Sequence, residues 1–238
     1  MGEYGDPRGL GQRLMESAPV VAVYESRLWR RNPIVQAFLG IAFDDELECI
    51  ARAARVDEAS RVLDLACGPG IYARPFARRL PRGRVVGLDL SPPMLAHAQR
   101  RRRAEGLVNL DLVRGSALDL PFTAACFDVV NCCGALHLFP DVPRALGEVC
   151  RVLVAGGRFT TAVFRAGDGP RDRVAVHMRR RLFGIHSFTS ADLDRQLGEA
   201  GFDDFQVLHE RGLWMLAVAV KRGMPRKDAP NGFSANSD

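Results

Sequence analysis

The residues of this sequence best suited to chemistry are two acids set around a glycine turn. Val62-Leu63-Asp64-Leu65-Ala66-Cys67-Gly68-Pro69-Gly70 is an apolar run with an acid inside it, and it ends in a Gly-x-Gly. The run Arg61–Leu65 reads as a buried strand, and 71–80 reads as the helix that follows. Glycine suits such a turn because it accepts positive φ and lets a bare backbone approach a ligand. In an open α/β sheet, ligands bind in that crevice, at the carboxyl end of the first strand. A second strand, 84–88, ends in Asp89, at the spacing where a carboxylate takes a ribose diol. The stretch Gly68-Pro69-Gly70-Ile71-Tyr72-Ala73 also satisfies the dinucleotide pattern G-x-G-x-x-G/A. These residues alone leave three readings: a plain strand-to-helix turn, a nicotinamide site, or another adenosine-bearing cofactor.

The elements that must position these groups follow in order. Ser91 caps a helix over 92–105, opened by Pro92-Pro93-Met94-Leu95. A third strand, 109–114, leads into Gly115-Ser116-Ala117-Leu118-Asp119-Leu120-Pro121-Phe122. A fourth, 127–131, contains Phe127-Asp128-Val129-Val130 and leads into Gly134-Ala135-Leu136-His137-Leu138-Phe139-Pro140-Asp141. A helix at 145–153 ends in Arg151-Val152-Leu153-Val154-Ala155-Gly156-Gly157, and strand five covers 158–164. Helices at 173–183 and 191–200 come next, then a hairpin of 206–210 and 213–221. Ahead of the first strand, 20–29 has helical spacing, Asn32-Pro33 starts a second short helix, and Asp44 caps a third. In that third helix Leu47, Ile50, Ala51 and Ala54 form one apolar face.

Taken in this order, these stretches resemble the class I S-adenosylmethionine (SAM)-dependent methyltransferases, closest to the UbiE/type 11 branch. Asp64 followed by Ala66-Cys67-Gly68 is similar to their motif I, (V/I)LD(L/V)GCGxG, with Ala66 at a glycine position. That acid tells against a dehydrogenase. The resemblance covers about residues 43–221. It implies an α/β, Rossmann-like fold: a seven-stranded mixed sheet in the order 3-2-1-4-5-7-6, helices on both faces, strand seven antiparallel. It implies SAM as cofactor and S-adenosylhomocysteine (SAH) as product. The backbone of Ala66, Gly68 and Cys132 would hold the methionine end, with Cys67 and Gly70 in the same turn. Asp64 would orient the turn's amides or the cofactor's amino group, and Asp89 would take the ribose. Leu90, Ala117 and Leu118 would sandwich adenine, with Met94 in the helix beside them. Ser116 stands where the family has aspartate, against the adenine amino group.

The resemblance further implies a small-molecule acceptor, lipophilic or a natural-product intermediate, methylated on O, C or N. A hydroxyl or acidic carbon needs a base, and His137, just past strand four, is the candidate. Residues 1–42 resemble a helical lid carrying Tyr24 and Trp29-Arg30. After strand five, His177, Met178, Phe183 and His186 are candidate wall residues. The tail, 222–238, reads as disordered.

Composition narrows the field. The 238 residues suffice for one α/β domain, and 47% are hydrophobic. No apolar run approaches a membrane span, and Glu3 and Asp6 do not suit a signal peptide. A soluble, cytoplasmic monomer or homodimer is expected. Net charge is +5, yet among 33 basic residues the lysines are Lys221 and Lys227 alone. Such an arginine skew argues for genome composition over a nucleic-acid surface, and Arg100 to Arg103 suit a helix carboxyl end. The six cysteines form no C-x-x-C, so neither a metal site nor a disulfide framework is expected. Besides the dehydrogenase, two alternatives stay open: a SAM-binding protein without methyl transfer, such as a cyclase or regulatory module, and a nucleic-acid methyltransferase, which lacks the Asn-Pro-Pro-Tyr signature after strand four.

Overall fold

Parallel strands covered on both faces should read as continuous apolar runs, and the central strands here do. The computed structural model describes residues 30, 32–167 and 169–223. Its elements are α1 (Pro33–Leu39), α2 (Phe43–Ala54), β1 (Arg61–Leu65), α3 (Ala73–Arg79), β2 (Arg84–Asp89), α4 (Pro92–Ala104), β3 (Leu110–Arg114) and β4 (Phe127–Cys133). A 3-10 turn (Leu136–Leu138) leads to α5 (Val142–Val152), β5 (Leu153–Phe164), α6 (Pro170–Phe183), α7 (Ser190–Glu199), β6 (Phe202–Arg211) and β7 (Trp214–Lys221). The strands form one sheet, β3-β2-β1-β4-β5-β7-β6. β7 runs antiparallel to β5 and to β6, and the other pairs are parallel. The order reverses between β1 and β4, which places the ligand crevice at their carboxyl ends.

Two apolar layers enclose the sheet. One gathers Leu63, Leu88, Val130, Phe159 and Phe202 under α5 and α7. The other packs Val62, Val85, Leu216 and Trp214 against α2 and α3 through Ile50, Phe76 and Ala77. β1 shows why Asp64 stands out. Every residue from Val62 to Leu65 is buried, and one of them is an acid.

Local signals set the element ends. Asn32 and Ser91 accept from the Ile34 and Met94 backbone N–H groups and cap α1 and α4, each with proline in the first turn. Thr189 and Asp141 do the same for α7 and α5. Asp44 is no cap: α2 starts one residue earlier, after Ala42. Asp44, Asp45 and Glu46 fill its first turn, where carboxylates favour the positive end of the helix dipole. β5 starts earlier than expected, at Leu153, which pairs with Phe127 across a register shift, and β6 is longer because its pairing with β7 continues through polar residues. Arg61 explains the Phe-Asp-Val-Val stretch. Asp128 accepts its backbone N–H at 2.8 Å and its guanidinium at 2.8 and 3.1 Å, which locks the amino ends of β1 and β4. The helical reading of 20–29, with Tyr24 and Trp29, and nearly all of the predicted tail lie outside the described residues.

Candidate active site

The turn after β1 is a chain of left-handed residues. Ala66 has φ 55°, Gly68 φ 53° and Gly70 φ 82°. Glycine takes this conformation freely, whereas an L-residue pays about 1–2 kcal/mol. A non-glycine residue at positive φ is an outlier that the surrounding structure must hold in place. A Cβ built on Gly68 would meet nothing within 4 Å, so open space lies directly over the turn.

Asp89 fastens that turn. Its Oδ2 accepts from the Gly68 N–H at 2.7 Å and its Oδ1 from the Ser91 N–H at 2.8 Å. The carboxylate plane is thereby fixed at the mouth of the crevice. Cys67 points the other way, into the sheet, where a Cβ on Gly87 would come within 2.9 Å of its sulfur. Its backbone N–H bonds Leu88 at 3.0 Å. Burial pushes the Cys67 thiol well up, so it is inert wall. Gly70 sits over Ala98 and Arg74, and Arg74 Nε donates to the Gly70 carbonyl at 3.1 Å.

Beneath the turn, Asp64 Oδ1 accepts from Asn131 Nδ2 at 2.7 Å, and Asn131 Oδ1 accepts from the Thr160 hydroxyl at 2.9 Å. This polar rung crosses β1, β4 and β5 in register. Asp64 Oδ2 has no hydrogen-bond partner among the described residues, although it is buried. Burial raises the carboxyl to about 7, against the Asn131 amide and the Ala73 N–H, which lower it. A buried, half-satisfied carboxylate is costly and calls for a donor or cation. The α-ammonium of an amino-acid ligand fits that need, and the open space over Gly68 fits its body.

The loop after β3 is held from outside. Arg151 donates to the Leu120 and Phe122 carbonyls at 2.9 and 2.7 Å. Glu148 takes the Leu120 N–H at 2.7 Å, and Arg144 donates to the Leu118 carbonyl at 2.8 Å. The Ser116 hydroxyl accepts from the Leu118 N–H at 3.2 Å, which rounds the loop where adenine would lie. Leu90, Ala117 and Leu118 are half-buried and Met94 is buried there. Arg151 and Glu148 were not singled out from the sequence. The signal lay in the Arg-Val-Leu stretch, whose Arg151 pins the loop after β3.

A second cluster of candidate residues lies past β4. Cys132 is buried, and its carbonyl takes the Thr161 hydroxyl at 2.9 Å. His137 sits on the 3-10 turn, 3% exposed. Its ring centroid is 4.5 Å from Phe164 and 5.9 Å from Trp214. Its Nδ1 has no partner, nor do Trp214 Nε1, Arg179 Nε and the Ser187 hydroxyl, among the described residues. Arg179 lies over the Phe164 ring, 5.9 Å from its centroid. Burial, then His186 and Arg179, lowers His137 to about 3, so its imidazole is not the ordinary one expected from the sequence. It is neutral across the physiological range. His186 is half-buried, and its backbone N–H donates to the His137 carbonyl at 2.8 Å. His177 and Met178 are exposed on α6 and line no wall, because the face carrying Arg179 turns inward instead. The Phe183 side chain lies outside the described residues.

One link joins the two sides. The buried Arg30 pairs with Glu46 on α2 and donates to the Tyr72 hydroxyl at 3.3 Å. The Tyr72 hydroxyl donates to Glu46 Oε1 at 2.5 Å. The same guanidinium lies 5.4 Å from the Phe43 ring and 5.2 Å from Trp214. A depression lined by Ala54, Ser60, Asp128, Gly156 and Arg158 lies at the opposite, amino end of the central strands and contains none of these unpartnered groups.

The comparisons agree with this geometry. A family model described as a methyltransferase domain matches residues 62–157. A demethylmenaquinone methyltransferase of Thermus thermophilus is 43% identical over 104 residues, which is 44% of this chain and 47% of the relative. An uncharacterized chloroplastic methyltransferase of Arabidopsis thaliana is 33% identical over 171 residues, 70% of this chain and 47% of the relative. The crystal structure of the cyclase SpnF superposes with TM-score 0.67 at 21% identity, covering 76% of this chain and 82% of that one; this likeness shows the fold. Fold, turn and the matched domain are together those of the class I SAM-dependent methyltransferases. Among these the chain is UbiE-like, and its cofactor is SAM. The chain spans about half the length of the curated relatives it matches.

Proposed function

We propose that this protein transfers the methyl group of SAM to a hydroxyl or acidic carbon of a lipophilic small molecule, seated among His137, Phe164 and Trp214. One observation carries the reading. Three buried polar atoms lack partners around this aromatic cluster: His137 Nδ1, Trp214 Nε1 and Arg179 Nε. Buried polar groups are satisfied in working proteins, so a polar head of the acceptor is the fitting occupant. The ring walls suit an apolar body. The Thermus relative, a demethylmenaquinone methyltransferase, supports the same class.

Bound SAM supplies a methyl already activated on a cationic sulfur. The chain's own residues do the rest. Asp64 Oδ2 takes the ammonium, Asp89 the ribose, and the loop pinned by Arg151 receives adenine. The neutral His137 accepts the acceptor's hydrogen at Nδ1 and orients the attacking atom. Arg179, over Phe164, favours the acceptor as its anion. With the imidazole lowered to about 3, His137 contributes at the lower end of the usual ~10²–10⁴ range of general-base help. His137→Gln should lower kcat about 10²-fold with SAH affinity unchanged. The wild-type rate should show no inflection near pH 6.5, the ordinary imidazole value.

Methyl-labelled SAM incubated with the protein and a cellular lipid extract tests the reading. Label should enter the organic phase, and His137→Gln should slow it. The same fold carries a cyclase, so binding alone does not establish transfer. SAH binding without any labelled organic product across extracts would leave a SAM-binding protein that does not methylate.

A further inference from the structure

Eight large hydrophobic side chains are exposed among the described residues. Six of them flank one end of the sheet. Val174, Met178 and Leu182 recur every fourth residue on α6, so they form one stripe along it, 64%, 47% and 51% exposed. Ile34 and Phe38 form a second pair at the same spacing on α1, 69% and 66% exposed, and Leu213 lies in the β6–β7 turn. The backbone ties these elements to one place. The Leu213 N–H bonds the Phe38 carbonyl at 3.1 Å, and its carbonyl takes the Arg165 N–H at 2.9 Å. Arg165 and Phe188, which bracket α6, bridge each other. Both groups therefore flank the carboxyl end of β5, beside Phe164, Trp214 and His137.

The charge around them is mostly positive, with Asp172 and the Arg165-paired Glu210 as the exceptions. The α6 segment carries five arginines against Asp172, whose carboxylate takes the Gly169 N–H at the helix start. Arg180 and Arg181 are exposed beside the stripe, and Arg211 is exposed beside Leu213. Exposed apolar side chains rimmed by cations have one chemistry in common with a membrane surface. The apolar groups enter the acyl boundary while the cations meet anionic headgroups.

We propose that this face docks on an anionic lipid bilayer, with the acceptor site opening toward the membrane. A peptide or a second copy of the chain would match the apolar stripe but would need an acidic surface of its own. The chain's net charge of +5 disfavours self-association through an arginine rim. The docking stands on the surface alone. Only the entry of acceptor from the bilayer rests on the function proposed above.

Co-sedimentation of the full chain with vesicles decides it. Vesicles of phosphatidylglycerol mixed with phosphatidylcholine should pellet the protein, and phosphatidylcholine alone should pellet far less. Met178→Glu with Leu182→Glu should lower partitioning at least about tenfold, because two apolar groups leave the interface and two repulsive charges replace them. Arg180→Gln with Arg181→Gln should lower it roughly fivefold per charge and weaken its salt sensitivity. An unchanged SAH melting shift shows that each variant is folded. Should the acidic pair disturb folding, Phe38→Ser makes the same test on the other group. The proposal is overturned if the wild type stays in solution with the anionic vesicles. It is equally overturned if the apolar variants partition like wild type, or if they split a dimer without changing partitioning. Vesicle binding with no methylated lipid product would retain the docking and sink the acceptor reading instead.

Discussion

Replacing Asp64 by asparagine should make the ligand-free protein more stable at alkaline pH while weakening its cofactor binding. The reasoning starts from two buried groups with opposite pH behaviour. Asp64 ionises near 7 in the fold and at 3.8 when exposed. Between those values the folded state holds a proton that the unfolded chain has released, so stability falls as pH rises. At about 1.4 kcal/mol per pH unit the whole loss is about 4 kcal/mol. His137 runs the other way. It protonates only near 3 in the fold and at 6.5 when exposed, so stability rises with pH across that window. In the wild type the two slopes cancel over the shared range, and a flat profile there says nothing about either. The variants separate them. Urea unfolding of Asp64→Asn against wild type should show a stability difference that shifts in favour of the variant by about 3 kcal/mol from pH ~5 to ~8. His137→Phe should show the opposite shift, about 2 kcal/mol, completed near pH 6.5. Calorimetry at pH ~8 should show SAH bound about 10–100-fold more weakly by Asp64→Asn, the worth of a charge-assisted bond. A stability difference that does not move with pH would mean that Asp64 ionises normally and that the lone Oδ2 places no demand on a ligand.

Two further outcomes follow from the same geometry. Glu46→Ala leaves the Arg30 guanidinium buried without its counter-charge, so unfolding free energy should drop by about 3–5 kcal/mol. A loss under 1 kcal/mol would mean that Arg30 finds water instead. Ala66→Gly removes a side chain from φ 55° and should stabilise the protein by about 0.5–1 kcal/mol, with SAH affinity unchanged. A lower melting temperature would show that the methyl group packs usefully.

The fold was readable because its landmarks are local. Residues 62–65 form one run broken by a single acid, with a glycine turn behind it, and the strand order comes from the family resemblance that five such stretches in sequence carry. The residues proposed for the cofactor are local in the same way, since Asp64, Gly68 and Asp89 lie at or just past the carboxyl ends of β1 and β2. Those proposed for the acceptor are not. Trp214 opens β7 and faces Phe164 of β5 only through antiparallel pairing far along the chain. Arg179 and His177 are two residues apart on one helix, and only the packing of α6 decides which of them turns inward. The environment of His137 likewise depends on two rings and a guanidinium from three separate segments. Asp44 failed as a cap because any of three consecutive acids could have started α2, and Phe43 had to enter the core first.

Calorimetric titration of SAH into the wild type and into Asp89→Ala tests the central claim most directly. Asp89 both fixes the Gly68 N–H and is the residue proposed to take the ribose. The wild type should bind one SAH per chain, and the variant should bind at least about tenfold more weakly, the loss of one or more charge-assisted bonds. NAD should give no heat with either. Equal SAH affinity in the two proteins, or NAD binding in place of SAH, would contradict the account.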